Sequence, residues 1–274
     1  MPWAALPELW IHVLIVLLGL IFGSFCNVLI YRLPRGQSVV WPSSACPACG
    51  HKIKWTDNIP VISFLFLRGK CRSCSASIPL RYPVVELLTA LLFLAVKVRF
   101  GLSPLLWVRD FPFCLLLVAI SFIDLEHRII PDRLSLPGIL LGLMTAYWVP
   151  GLGLISGLVG AVLGFGLFYG FAWFYFRWKG RHGLGGGDVK LLAMLGAFLG
   201  PAGVFSTILI SSVLGSVIGI ALAVLASRKR AERAGEESSA LLLQAIPYGP
   251  FLVIGGLYVY LLGDLLWLPF TIPT

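Results

Sequence analysis

Apolar residues gather in eight blocks along the chain, at about 9–30, 83–101, 104–123, 134–150, 153–176, 189–200, 202–226 and 247–268, with polar residues collected between them. A helix needs roughly 20 apolar residues to cross the hydrocarbon core of a bilayer. The pattern therefore predicts an all-α polytopic membrane protein with about eight transmembrane helices. The sixth block is short and needs a tilt, a shallow seat or help from the Gly-rich loop before it. The chain divides into a first transmembrane helix over 1–30, a polar loop domain over 31–82 and a bundle of helices two to eight over 83–274.

Composition agrees. The 274 residues are 58% hydrophobic and 12% charged, with a mean hydropathy of +0.93. A soluble domain of this size carries far more charged surface. Charge also orients the bundle. Of the 21 Lys and Arg, only Lys97, Arg99 and Arg109 fall in turns on one side. Basic loops stay in the cytoplasm, so the 31–82 loop is expected inside and both termini in the periplasm. The net charge of +9 then follows from topology and needs no nucleic-acid partner. No Lys or Arg precedes the first block, which reads as a transmembrane helix and not as a cleaved signal with a basic start. The segment 227–240 reads as a solvated connector. Glycines four apart, at Gly138/Gly142, Gly153/Gly157, Gly160/Gly164, Gly166/Gly170, Gly196/Gly200 and Gly215/Gly219, are expected to let helices approach closely in lipid.

The polar loop holds two C-x-x-C pairs, Cys46/Cys49 and Cys71/Cys74. Four thiolates so spaced suit one tetrahedral Zn2+, with Gly50 and the turn at Arg68-Gly69-Lys70 supplying bends. Disulfides and a redox pair are the alternatives, the first disfavoured by a reducing cytoplasm. A four-thiolate site is closed, so the metal would hold the fold without catalysing. His12, His51, His127 and His182 are expected at the surface, and Cys26 and Cys114 as inert thiols within apolar helices.

Two aspartates mark helix ends at the cytoplasmic face. Asp124 ends the third block, and Asp188 opens the sixth after Gly185-Gly186-Gly187. Ionisable groups at membrane depth are costly and are functional candidates. Two adjacent carboxyls share one proton: the ionised one activates water, and the protonated one assists the carbonyl oxygen. The three glycines would let a substrate strand lie close, and Lys190 would bias the local charge. Capping a helix or pairing with an Arg is the alternative for either acid, and Asp132 fits the capping role before the fourth block.

At these residues the chain resembles the type IV prepilin peptidases. The resemblance rests on Asp124 with Ile130-Pro131-Asp132, and on Gly185-Gly186-Gly187-Asp188-Val189-Lys190. It extends to Gly23-Ser24-Phe25-Cys26-Asn27-Val28, Arg32-Leu33-Pro34, the two-knuckle loop with Asn58-Ile59-Pro60 and Leu67-Arg68-Gly69-Lys70, and Arg81-Tyr82-Pro83 with Glu86. It implies a multi-pass enzyme of the bacterial inner membrane. Such enzymes cut the basic leader from prepilins or pseudopilins and methylate the new N-terminal amine with S-adenosylmethionine. It implies Asp124 and Asp188 as the catalytic pair and the four cysteines as zinc ligands. Asn27, Arg81 and Glu86 become cofactor candidates, although an ion pair of Glu86 with Arg32 or Arg81 is an equal alternative. A peptidase without methyl transfer, and a zinc-stabilised transporter or assembly scaffold, are the competing functions.

Overall fold

The computed structural model describes residues 7–180, 183–232 and 247–263. The expectations for His182, for both chain ends and for most of the 227–240 connector fall outside these residues.

Helix covers every apolar block. The elements are α1 (Glu8–Arg32), a five-residue α2 (Ile62–Phe66), α3 (Arg81–Phe100), and α4 (Phe111–His127), which a π-helical turn at Leu106–Asp110 precedes. After them come α5 (Asp132–Ala146), α6 (Gly153–Lys179), α7 (Gly186–Glu232) and α8 (Gly249–Leu262). The sixth and seventh blocks are the two halves of α7. Gly200, at φ 70° and ψ −177°, breaks the helix between them. Only glycine holds that geometry easily, and Pro201 pushes its predecessor out of the helical region. Among the described residues there is no strand, only two isolated bridges in the polar loop.

Four helical runs, Glu8–Arg35, Leu106–His127, Gly153–Lys179 and Gly186–Leu225, are long and apolar enough to cross a bilayer. Much of their surface is large and greasy: on α6, Ile155, Val162, Phe171 and Phe174 are all exposed. Such surfaces need an apolar medium and mark a membrane protein.

The chain forms two units, Met1–Ile123 and Asp124–Thr274. In the first, α1 lies directly on α3. A Cβ on Gly19 would stand 2.5 Å from Ala90 Cα, and one on Gly23 would stand 2.6 Å from Glu86 Cα. This glycine pair has the same four-residue spacing as those singled out above and was overlooked there. His12, expected at the surface, instead lies 2.7 Å from the buried Lys97 ammonium. Desolvation of that ammonium makes a neighbouring acceptor valuable.

In the second unit, α7 is packed by α5, α6 and α8. Gly160 and Gly196 face each other backbone to backbone, and a Cβ on Gly164 would stand 2.6 Å from the Leu192 carbonyl oxygen. Gly142 lies against Ala197 and Phe198, and Gly255 against Thr207. Gly153, Gly166, Gly170 and Gly219 meet nothing within 4 Å. The expected packing role therefore does not hold for the pair at 166 and 170, which faces outward from α6.

Candidate active site and metal centre

Asp124 occupies the last turn of α4. The helix stops at Arg128, whose φ of 56° turns the chain, and the Arg128 N–H still reaches the Asp124 carbonyl at 2.9 Å. Ile130 and Pro131 then lead into α5. Asp124 is 5% exposed, and its Oδ2 accepts a hydrogen bond from the Gly249 N–H at 3.0 Å. Gly249 begins α8, so this N–H is one of the donors that a helix N-terminus leaves unpaired. The carboxylate thus caps a helix 125 residues downstream in sequence.

Asp188 lies in the first turn of α7, and its N–H donates to the Gly185 carbonyl at 3.1 Å. Asp188 therefore sits at the positive end of α7, and the Asp124 carboxylate reaches the positive end of α8 from the last turn of α4; carboxylates are favoured at such ends. They belong to one unit, and the charge on Asp124 acts on Asp188. Ile130 ties the two together: a Cβ on Gly187 would stand 2.7 Å from Ile130 Cβ, and one on Gly249 would stand 3.2 Å from Ile130 Cδ1.

The three glycines before Asp188 have separate surroundings. Gly187 is pressed on Ile130, a Cβ on Gly185 would stand 3.1 Å from Asp188 Oδ2, and Gly186 is open. Lys190 does not stand free: its ammonium pairs with Asp132 Oδ1 at 2.6 Å. Asp132, expected as a cap, makes no capping hydrogen bond to α5 and instead links the starts of α5 and α7. Sequence reasoning missed Tyr248 and Gly249. The available signal was Pro247-Tyr248-Gly249-Pro250, a turn opening an apolar run. The Tyr248 hydroxyl lies 2.8 Å from Ser211 Oγ and 3.3 Å from Ser212 Oγ, fixing α8 to the second half of α7.

The cysteine loop folds as two matching knuckles. Cys46 N–H donates to the His51 carbonyl and Gly50 N–H to the Cys46 carbonyl; Cys71 N–H donates to Ala76 and Ser75 N–H to Cys71. The bend falls at Gly50 (φ 70°) in the first and at Ser75 (φ 60°) in the second. The second bend is therefore not made by glycine and carries no compositional signal. Arg72 clamps Asp57 through both carboxylate oxygens, at 2.6 and 2.9 Å, and its hydrogen bonds hold the Asp57 carboxyl below the usual range.

All four Sγ atoms lie within 4.8 Å of one another, and Cys46 Sγ is 3.9 Å from Cys74 Sγ. Tetrahedral thiolates at about 2.3 Å from zinc stand about 3.8 Å apart, so the donor set fits that ion. Hydrogen bonds from the Cys49 and Ala48 backbones pull the Cys46 thiol down to about 7. A hydrogen bond to the Ala76 backbone favours the Cys74 thiolate. Contacts with Cys49, Cys71 and Cys46, together with burial, outweigh it and push that thiol up to about 12.

Among the cofactor candidates, Asn27 and Glu86 line one cavity of the first unit. Arg81 lays its guanidinium 5.0 Å over the Tyr82 ring. The Glu86 carboxylate accepts the Val61 N–H at 2.8 Å and a hydrogen bond from Ser24. Arg32, offered above as its ion-pair partner, instead donates to the Ser38 and Pro42 carbonyls.

Comparison with known proteins gives the class. Residues 17–100 match the Bacterial Peptidase A24 N-terminal domain and residues 111–220 match the Type IV leader peptidase family. A Pseudomonas putida protein named prepilin leader peptidase/N-methyltransferase is 36% identical, over 95% of this chain and 93% of its own length. A Pseudomonas aeruginosa protein of the same name is 38% identical, over 91% of this chain and 89% of its own. One from Myxococcus xanthus is 44% identical, over 79% of this chain and 64% of its own. The chain belongs to the type IV leader peptidase family. No solved structure matches it.

Proposed function

We propose that the chain cuts the leader from prepilins or pseudopilins with Asp124 and Asp188, and methylates the amine so exposed. The observation that carries the peptidase reading is the pair itself: two acids from distant helices, in one unit, with the Asp124 carboxylate capping the start of α8, Asp188 in the first turn of α7, and the charge on Asp124 acting on Asp188. In that setting one proton serves both groups. The ionised carboxylate takes a proton from water as the oxygen attacks the scissile carbonyl. The protonated one hydrogen-bonds the carbonyl oxygen, and the proton then passes to the leaving amine as the C–N bond breaks. Gly249 orients Asp124, and the open backbone at Gly186 leaves room for an extended substrate segment. Lys190 serves as a tether to Asp132 and keeps the start of α7 beside α5.

The eight helical segments are read as eight transmembrane passes, with α7 crossing twice about Gly200. The bulk of the basic residues then faces the bacterial cytoplasm, with the cysteine loop there and both termini in the periplasm. A pilin signal is a basic leader followed by an apolar helix. Its helix would lie in the bilayer and bring the scissile bond to the cytoplasmic interface. The four cysteines hold a structural zinc ion.

Methylation is supported by the names of the similar proteins and by the alignment of nearly the whole chain with them. The donor is S-adenosylmethionine, which supplies an electrophilic methyl on a sulfonium. The new amine forms the N–C bond, the S–C bond breaks, S-adenosylhomocysteine leaves and the amine loses a proton. Incubating the purified protein with a prepilin and methyl-labelled donor tests the whole reading. Cleavage with label on the mature amine is expected. Cleavage without label reduces the function to a peptidase, and neither event leaves a transporter or scaffold.

A further inference from the structure

The polar loop carries a short helix whose two faces differ. Ser63 and Phe64 of α2 line a cavity between the knuckles, α1 and α3, and Leu67, just past the end of the helix, joins them. Ile62, Leu65 and Phe66 stand on the other face at i, i+3 and i+4, and all three are exposed, Phe66 by 84%. Trp55, in the helical turn Trp55–Asn58 that packs on α2, and Leu80, the residue before α3, are exposed as well. Apolar side chains scattered singly over a surface need no partner, but three on one helical turn mark a contact face.

The depth of that face is set by α3. The Val61 N–H donates to Glu86 Oε2 at 2.8 Å, so α2 starts beside a residue well inside that helix. At roughly 1.5 Å per residue, Glu86 lies about 8 Å along α3 from Arg81. A five-residue helix spans about the same length, so even the far end of α2 stays near the level of Arg81. The second half of α1 passes the same level, because a Cβ on Gly23 would meet Glu86 Cα. Val61 and Arg68, at φ 60° and 52°, turn the chain sharply on either side of α2. Left-handed backbone is costly away from glycine and persists where the surroundings over-determine it.

Charge selects the partner. Residues 31–82 hold eight Lys and Arg and one acid, Asp57, which Arg72 clamps. Lys54 and Arg68 flank the apolar residues in sequence, and both are exposed. An apolar face with basic neighbours suits anionic headgroups lying over acyl chains. A basic prepilin leader would be repelled there, and a second copy of the chain brings the same excess of positive charge.

We infer that the face formed by Ile62, Leu65 and Phe66 is seated in the cytoplasmic leaflet among anionic lipids, so that the bilayer, α1 and α3 together hold the cysteine loop. The inference rests on the proposed passes of α1 and α3 through the membrane.

Photocrosslinking of the full-length protein in vesicles tests it. p-Benzoylphenylalanine replaces Phe66 in one variant and Leu91, an exposed residue midway along α3, in another. The vesicles contain phosphatidylglycerol and phosphatidylethanolamine. Zinc content reports whether each variant is folded, and the same replacement at Leu65 stands in should the Phe66 variant lose its zinc. Lipid adducts, read by mass spectrometry, are expected at both positions. Exchanging phosphatidylglycerol for phosphatidylcholine should lower the yield at Phe66 about fivefold, the scale of one basic side chain at an anionic surface, and leave the yield at Leu91 unchanged. Lipid adducts at Leu91 with none at Phe66 would overturn the inference. Crosslinks from Phe66 only to a second copy, to prepilin or to another segment of this chain would do the same. A yield at Phe66 indifferent to lipid charge would overturn the assignment to anionic lipid. No lipid adduct at Leu91 would instead sink the pass of α3, and the seating of α2 with it.

Discussion

The Gly249 N–H holds Asp124 Oδ2 at 3.0 Å, and a Cβ on Gly249 would stand 2.5 Å from the same oxygen. The residue therefore both aims the carboxylate and leaves it room. Gly249→Ala should displace Asp124 with little effect on the rest of α8. Misplacing a catalytic group by about 1 Å costs on the order of 100-fold. The expected result is a fall of that size in kcat for leader cleavage, with KM nearly unchanged.

Replacing either acid should do more. Asp124→Asn and Asp188→Asn keep side-chain volume but leave no exchangeable acid–base pair. General acid–base groups contribute roughly 100- to 10,000-fold, so each variant should retain under about 1% of prepilin cleavage. Membrane insertion should be intact. Near-native processing by either variant would remove the dyad from the mechanism.

The glycines of α6 make an internal comparison. Gly164→Ala would press a methyl onto the Leu192 carbonyl, and overpacking of this kind costs roughly 1–3 kcal/mol. Gly166→Ala, two residues on, meets open space and also improves helix propensity. Thermal unfolding in detergent should show a lower Tm for the first and an unchanged or higher Tm for the second.

Metal retention in the knuckles should depend on pH. Binding needs thiolates, and Cys46, at about 7, is pulled below its ordinary value of 9.0. A lowered value means the thiolate is present above about pH 7 and protons compete below it. Zinc should therefore resist a chelator at pH 8 and be stripped progressively faster as pH falls from 7 to 5. Cys46→Ser should lose the ion at every pH. Retention that does not change across this range would contradict thiolate ligation.

Much of this architecture was readable in advance because its signals are local. Apolar blocks gave the helices, the division between the sixth and seventh blocks matched the break in α7, and C-x-x-C spacing gave the sulfur cluster. Asp124 and Asp188 stood out because charge is rare beside apolar runs. The parts that escaped depend on contacts between distant residues. Nothing near Gly249 in sequence announces Asp124, and Lys190 finds its partner 58 positions away. Asp132 looked like a cap because capping is local, yet its carboxylate is drawn to the stronger attraction of a nearby ammonium. Gly166 and Gly170 had the spacing of packing residues, but spacing does not say which face of a helix meets a neighbour. Ser75 bends its knuckle without the glycine that marks the first bend.

The sulfur cluster is uneven: Cys46 is sheltered and Cys71 half-sheltered, whereas Cys49 and Cys74 face outward. Electrophiles and oxidants would therefore reach one sulfur of each knuckle first. Alkylation by a maleimide should begin at Cys49 and Cys74 and extend to the inner pair only once the ion has been released. Cys26 and Cys114, shut inside the helices, should stay silent throughout. Damage to the loop would thus arrive in stages, and peptide mapping by mass spectrometry can follow the order.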